Sequence, residues 1–235
     1  MHLILGKPNK STLKKDLIWN YISIIFLGIS GIGINSLISI FYDPSVLGSF
    51  NQVLVTYLLA SIFGSGGINF SVLKAIAQNN RNELEIPSII KGAIISTLFS
   101  SILMTIFYLK SINIVSELFD SNKVREGMIS IAPGIFFFSF NKVFLLGILN
   151  GIERMRSYAI YQALRYLLIF ISLIICIKFS VRGENLTIIF VYSEIILFTL
   201  LLFDISYNYK WFGSKDWIKW FKTHIPFGLK SILSS

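Results

Sequence analysis

Residues 186–203 read LTIIFVYSEIILFTLLLF, eighteen residues with a single charge, Glu194, near their centre. A hydrocarbon core about 30 Å thick takes about 20 apolar residues of helix, with a range of about 17 to 25. Five more windows meet the same test: Leu17–Phe41, Val46–Phe63, Gly92–Leu109, Met128–Leu149 and Tyr158–Phe179. In lipid every backbone N–H and C=O has to be paired within a helix or a closed barrel. Barrel strands alternate apolar and polar residues over about ten positions, and these runs do not. The chain is therefore expected to be all-α and polytopic, with six transmembrane helices. A last run, Ile225–Ser235 (IPFGLKSILSS), has the same character at half the length and reads as the start of a seventh. The expected organisation is a six-helix bundle over residues 1–205, a cytoplasmic interfacial linker helix over 206–224 and the truncated start of a second bundle over 225–235.

Composition points the same way, with 54% hydrophobic and only 14% charged residues. The net charge of +9 would suggest a nucleic-acid partner in a soluble protein, but here its distribution is read against the bilayer and no nucleic acid is expected. Lys7, Lys10, Lys14, Lys15, Lys74, Arg81, Lys91, Arg154, Arg156, Lys210, Lys215, Lys219 and Lys222 fall on one side of the six spans. Only Lys110, Lys123, Arg125, Lys178 and Arg182 fall on the other. By the positive-inside rule the N-terminus is cytoplasmic. The first apolar run is too long for the core of a cleaved signal peptide and reads as an uncleaved anchor.

Cys176 is the single cysteine, and His2 and His224 lie outside the spans, so neither a disulfide nor a zinc cluster is expected. Gly64-Ser65-Gly66-Gly67 is not followed by Lys-Ser/Thr, the pair that would hold phosphate and magnesium in a P-loop. Gly28, Gly31 and Gly33 lie inside the first span and read as helix-packing positions rather than a dinucleotide loop. No catalytic residue, metal or cofactor is expected, and the chain reads as something other than an enzyme.

Charge inside a membrane costs about 2.5 to 3.5 kcal/mol on insertion scales and marks function by default. Three positions carry it: Lys142, Arg165 and Glu194. Lys142 lies seven residues before the end of the fourth window and Arg165 seven after the start of the fifth. At 1.5 Å per residue both sit about 10 Å inside the cytoplasmic edge. The short Asn150–Ser157 link makes the two spans antiparallel neighbours, whose cations either line one cavity or snorkel to the interface. Tyr158, Gln162 and Arg165 follow at i, i+4 and i+7 on one helical stripe, and Asn141 adjoins Lys142. Glu194, near the midplane, cannot reach water. It is protonated, paired with a cation such as Arg165, or faces a wet cavity as a proton- or cation-coupling site. Pro133 is expected to kink the fourth span.

Trp217, Trp220 and Phe221 share one face of a helix and Lys215, Lys219 and Lys222 another, the pattern of an interfacial helix with its aromatic side in the headgroups and lysines toward anionic lipid. Trp19 and Trp211 also fall near the cytoplasmic boundary, as anchors.

The run Asn141-Lys142, Ile148-Leu149-Asn150-Gly151, Glu153-Arg154-Met155-Arg156 and Tyr158-Ala159 resembles the signature of the polysaccharide-transporter family, the O-antigen and capsule flippases of bacterial inner membranes. Asp43–Phe50 (DPSVLGSF) is similar to that family's short outer turn, and Ile225-Pro226-Phe227-Gly228-Leu229 to the start of its seventh span. The resemblance implies a MATE-like fold, of which this would be the N-terminal lobe, in a multi-pass protein of the inner membrane. It also implies the transfer of undecaprenyl-pyrophosphate-linked oligosaccharide between leaflets, with membrane lipids, a polysaccharide polymerase and assembly proteins as further partners. Lys142 and Arg165, with Asn141 and Gln162, would face the anionic pyrophosphate, while the resemblance gives Glu194 no role. Competing readings are a MATE-like exporter of small molecules, which would favour acidic over basic cavity residues, a polymerase of the same pathway, which needs a larger outer loop than Lys110–Gly127, and a non-transporting subunit.

The topology is checked by cysteine labelling in a Cys176→Ser background. Cysteines at Ser121 and Gly183 should react with a membrane-impermeant reagent in intact cells, and cysteines at Asn79 and Lys215 should not; labelling at Asn79 reverses the orientation.

Overall fold

Each apolar window becomes the interior of a helix. The computed structural model describes residues 10–79 and 84–234; His2, Lys7, Arg81 and Ser235, invoked above, lie outside them, as do the side chains of Lys10, Lys14, Lys15 and Trp19. The helices are α1 (Lys10–Phe41), α2 (Pro44–Gly64), α3 (Ile68–Gln78), α4 (Ile86–Leu118), α5 (Asn122–Lys142), α6 (Met155–Lys178), α7 (Ile188–Tyr209) and α8 (Trp217–Leu233). Pro44 and Pro87 open α2 and α4 in the first turn, where a missing N–H costs nothing. Ser121 caps α5, its side chain accepting from the Val124 amide. α2, α4, α6, α7 with its preceding turn, and α5 with its continuation to Leu149 are each long and apolar enough to cross a membrane. α1 adds 32 residues, about 48 Å at 1.5 Å per residue. Leu98, Phe99, Ile102, Leu103, Ile106 and Phe107 of α4 point outward, as do Ile24, Ile25, Ile29 and Ile32 of α1. Such faces are stable only against lipid or other apolar surface, and the chain is a multi-pass membrane protein.

α5 passes through Pro133 as one helix. Its departure from α geometry comes later, at Val143–Leu149, which winds as a π-helix directly after Lys142. Gly147 lies in this segment, where a Cβ would come within 3.2 Å of the Asn69 carbonyl and of Val72 on α3. α3 itself occupies what the hydropathy pattern leaves as a loop.

α5 is the central helix, packed on α2, α4 and α7, whereas α6 rests on α1 and α7. The fourth and fifth spans meet as expected, but over only part of their length: α6 touches the π-helical continuation of α5 and Arg165 reaches the Phe138 ring, while α7 packs against both helices. The cause is the breadth of the α7 interior face. Ile189, Phe190, Ser193, Glu194, Leu197, Leu201 and Ile205 are all buried, enough to serve two partners. Ser193 meets Ser172 of α6 at 3.4 Å, small against small, which lets the two backbones close up.

The interior divides into two apolar clusters. One, with Ile38, Val53, Val124, Met128, Leu173 and Leu186, fills the end where α1 turns into α2. The other, with Val72, Ile89, Phe144, Leu149, Leu201 and Trp220, fills the lysine-rich end where α3 and α8 gather. Phe144 and Phe198 stack there with ring centroids 5.9 Å apart.

α8 buries the stripe Trp220, His224 and Gly228 against α3 and α4. Trp220 lies over Gly92, where a Cβ would sit 2.6 Å from its own, and its Nε1–H donates to Glu85 at 3.0 Å. This corrects the headgroup assignment of Trp220, and buried Trp211 departs from the anchoring role in the same way. Lys215, Lys219 and Lys222 are exposed as expected. α8 runs unbroken across residues 224 and 225. Gly66 and Gly67, at φ +57° and +63°, touch Gly228 backbone to backbone, so the glycine run that fails as a phosphate loop is the seat of α8. Of the three glycines in the first span, Gly33 receives the Phe170 ring, while Gly28 and Gly31 face open space.

His224 is fully buried, its Nδ1 2.8 Å from the Ser71 hydroxyl. Burial pushes its pKa down to about 4, against a weak opposing pull from the Ile89 carbonyl. The undocked helix, with an ordinary histidine near 6.5, binds a proton that the docked one refuses. The docked state is therefore fully stable above about pH 6.5 and loses up to roughly 3 kcal/mol as pH falls toward 4. Tryptophan emission of the reconstituted chain should shift to the red across that window, and His224→Gln should abolish the shift; an unchanged transition in that variant assigns it to another group.

Candidate functional site

Three helices converge on one carboxylate between the two clusters. Glu194 of α7 is 1% exposed, and both of its oxygens are engaged. From α6, the Arg165 Nε lies 3.0 Å from Oε1 and Nη2 donates to Oε2 at 3.1 Å. From α5, Asn141 donates through Nδ2 to Oε2 at 2.7 Å and to the Glu194 backbone carbonyl at 3.0 Å. One hydrogen bond, from Nη2, and one close charge contact, at Nε, hold the guanidinium to the carboxylate; Nε itself makes no hydrogen bond among the described residues. The Phe138 ring lies 4.7 Å from the Arg165 guanidinium carbon, a cation–π contact that is worth more where water is absent. Buried Tyr57 of α2, whose hydroxyl approaches the Gly134 carbonyl at 3.4 Å, is within electrostatic reach of both charges.

From this pair a polar stripe runs along α6. Arg165 reaches Gln162 through Nη1 at 3.5 Å, and Gln162 donates to the Tyr158 hydroxyl at 3.2 Å. Gln162 and Tyr158 are half-buried, so the stripe leads from a dry ion pair toward the lysine-rich end. Of the five residues singled out in the sequence, Asn141, Gln162, Arg165 and Glu194 thus form one connected network. Lys142 does not join it. One position after Asn141, and therefore about 100° round the helix, it is half-buried and makes no hydrogen bond or ion pair among the described residues. Two concavities, of about 390 and 440 Å³, lie at the opposite end of the bundle, one beside Cys176, Asn185 and Tyr192 and the other beside Asp43, Lys123 and Glu184.

A second ion pair closes the lysine-rich end. Arg154 meets Asp204 at 3.0 Å, and Asn208 donates to the same carboxylate at 2.7 Å. Sequence reasoning passes over Asp204, although its signal is present: it is the first charged residue after the sixth apolar window, level with the arginines of the preceding link.

The chain matches a family model described as polysaccharide biosynthesis protein over residues 13–235. It belongs to that family. No curated protein and no solved structure matches it. Within this family member several residues of the 141–159 motif have physical work. Asn141 holds Glu194, Arg154 holds Asp204 and Tyr158 accepts from Gln162. Gly151 leaves room for Ile76 of α3, which a Cβ there would approach to 2.9 Å, and Ala159 is buried.

Removing one member of a buried pair leaves an uncompensated charge, at about 3–5 kcal/mol, whereas removing both is often near neutral. Arg165→Gln should therefore lower thermal stability in detergent markedly, and Arg165→Gln with Glu194→Gln should recover most of it. Equal stability of the single variant and the parent would show that the pair carries no structural load.

Proposed function

We propose that this protein takes part in moving a lipid-linked, pyrophosphate-bearing oligosaccharide across the bacterial inner membrane for surface-polysaccharide assembly, with its N-terminus in the cytoplasm. The observation that carries the reading is Lys142, a half-buried cation without a partner among the described residues, beside a neutralised ion pair, in a member of the polysaccharide biosynthesis family. Glu194 is saturated by Arg165 and Asn141, so the local excess charge is positive and suits an anion. That balance disfavours the export of small cations, for which a free carboxylate would be needed. The proposed work is transport without covalent chemistry, by alternating exposure of the polar layer in a MATE-like arrangement of helical bundles. The lipid-linked substrate would come from, and be handed to, membrane-bound assembly proteins such as a polymerase. Undecaprenyl pyrophosphate is the carrier that the sequence resemblance suggests, and the exposed lysines of α8 suit anionic headgroups.

The test uses a bacterial strain whose surface polysaccharide depends on the protein. Lys142→Ala should abolish or strongly reduce surface polysaccharide while membrane expression persists, and Lys142→Arg should retain part of the function. Normal export by Lys142→Ala returns Lys142 to the class of snorkelling side chains.

A further inference from the structure

Arg165 turns one edge of its guanidinium to Glu194, with a hydrogen bond from Nη2 to Oε2 and Nε 3.0 Å from Oε1. That edge is the one with which it would hold a phosphate at two points. As the structure stands, Arg165 is occupied. A phosphate anion that takes this edge displaces Glu194 and would leave a bare carboxylate, 1% exposed, between two apolar clusters, at high cost. Neutralising Glu194 removes that cost.

Asn141 is suited to both charge states. Its Nδ2 donates to the ionised carboxylate at 2.7 Å, while its Oδ1 is buried and unpartnered. Once Glu194 carries a proton, rotation of the amide presents that oxygen to the new O–H donor. The Arg165–Gln162–Tyr158 stripe gives the released guanidinium polar company on the side that is not sealed. The charged and titratable groups around Glu194 are Arg165 and Tyr166 on α6, Tyr57 on α2 and, one position from Asn141 on α5, Lys142.

We propose that Glu194 is a built-in counter-ion that a phosphate anion replaces on Arg165, with one proton taken up on the Glu194 carboxylate for each anion bound. The step is an exchange without covalent change: the Arg165–Glu194 ion pair opens, a proton from water adds to a Glu194 oxygen, and Arg165 pairs with a phosphate oxygen. The layer loses the Glu194 charge and gains the two of a pyrophosphate diester, a net change of one negative charge that the cation of neighbouring Lys142 offsets. Glu194 is here a positioning residue and not a ligand contact. The inference rests on the reading of the site as anion-binding, and its test is separable from that of transport.

The probe is a soluble dimethyl diester of pyrophosphate, whose charge stays constant between about pH 5.5 and 7.5. It is titrated by calorimetry into the full chain in phosphatidylcholine nanodiscs, in buffers of differing ionisation enthalpy, which counts protons. Wild type should take up one proton per anion and bind more tightly as pH falls. Glu194→Gln should take up none, lose the pH dependence and bind at least about tenfold more tightly at neutral pH, the scale of a 1.4 kcal/mol difference. Lys142→Arg, which replaces the nearby lysine by a cation that does not titrate, should still take up one proton. No proton uptake by wild type, its loss in Lys142→Arg, or no detectable binding of the probe each overturns the proposal. If Glu194→Gln does not fold, the proton counts of wild type and Lys142→Arg still decide. Repeating the titration in phosphatidylglycerol nanodiscs identifies the source of the phosphate: unchanged binding assigns the site to pyrophosphate, and loss assigns it to a lipid headgroup. Transport of lipid-linked oligosaccharide is read separately. Transport without proton-linked binding overturns the counter-ion proposal alone, and proton-linked binding without transport overturns the flippase reading alone.

Discussion

A carboxylate buried between apolar clusters has to be met from more than one direction, and the arrangement of this bundle follows from how Glu194 is met. Arg165 comes from α6 and Asn141 from α5, and the helix that carries Glu194 packs against both. In lipid the apolar faces give little direction to assembly, because acyl chains are as apolar as leucine. The clusters around Met128 and Phe144 could slide past one another by a turn at modest cost. A single polar layer with three mutually dependent donors and acceptors cannot. It sets the register of α5, α6 and α7, and the small contact of Ser172 with Ser193 keeps two of those helices close enough to hold it.

The spans were readable because the transfer cost of each side chain into hydrocarbon is written residue by residue. The order in which they pack was not. Five or six helices that are apolar on most faces carry no period that says which face meets which neighbour; the short link after Asn150 argued rightly for contact between the fourth and fifth spans, but not for α7 packing broadly against both. Pairing of Arg165 with Glu194 was one of three open readings and is the one found, and the Tyr158–Gln162–Arg165 stripe followed from helical spacing alone. Asn141 as the second donor to Glu194 was not legible, since nothing local sets its depth against α7. α3 could have been found: Ile68, Val72, Ala75 and Ile76 recur at helical spacing in a segment passed over as a loop for its brevity. The π-helical turn after Lys142 has no comparable mark in composition. It answers the close approach of Gly147 to α3, a tertiary demand.

α8 shows how the same residues can satisfy two descriptions. Lysines on one face and aromatics on another define an amphipathic helix, but amphipathicity does not say whether the aromatic face meets headgroups or protein. The difference lay in glycines far away in sequence. Gly92 makes room for Trp220, and Gly66 and Gly67, both in the left-handed region, bring their backbone against Gly228. Side chains at the latter two would be strained by conformation and by contact alike. A phosphate loop and this seat ask the same of glycine, backbone that another group can approach closely, and only the absence of the Lys-Ser/Thr pair distinguishes them in sequence.

The balance of charge gives the polar layer its sign. Arg165 and Glu194 cancel, Asn141 is neutral, and Lys142 remains. A site meant for a cation would leave carboxylate lone pairs open, whereas here one Glu194 oxygen already accepts from both Arg165 and Asn141 and the other faces the Arg165 Nε. Stability alone does not call for a half-buried lysine, unpaired among the described residues, on the next position of the same helix, where methionine or leucine would pack at lower cost. The surplus positive charge and the neutral pair beside it are separate facts of the sequence. Together they make a layer whose ion pair is internally neutral and whose remaining charge, on Lys142, is positive.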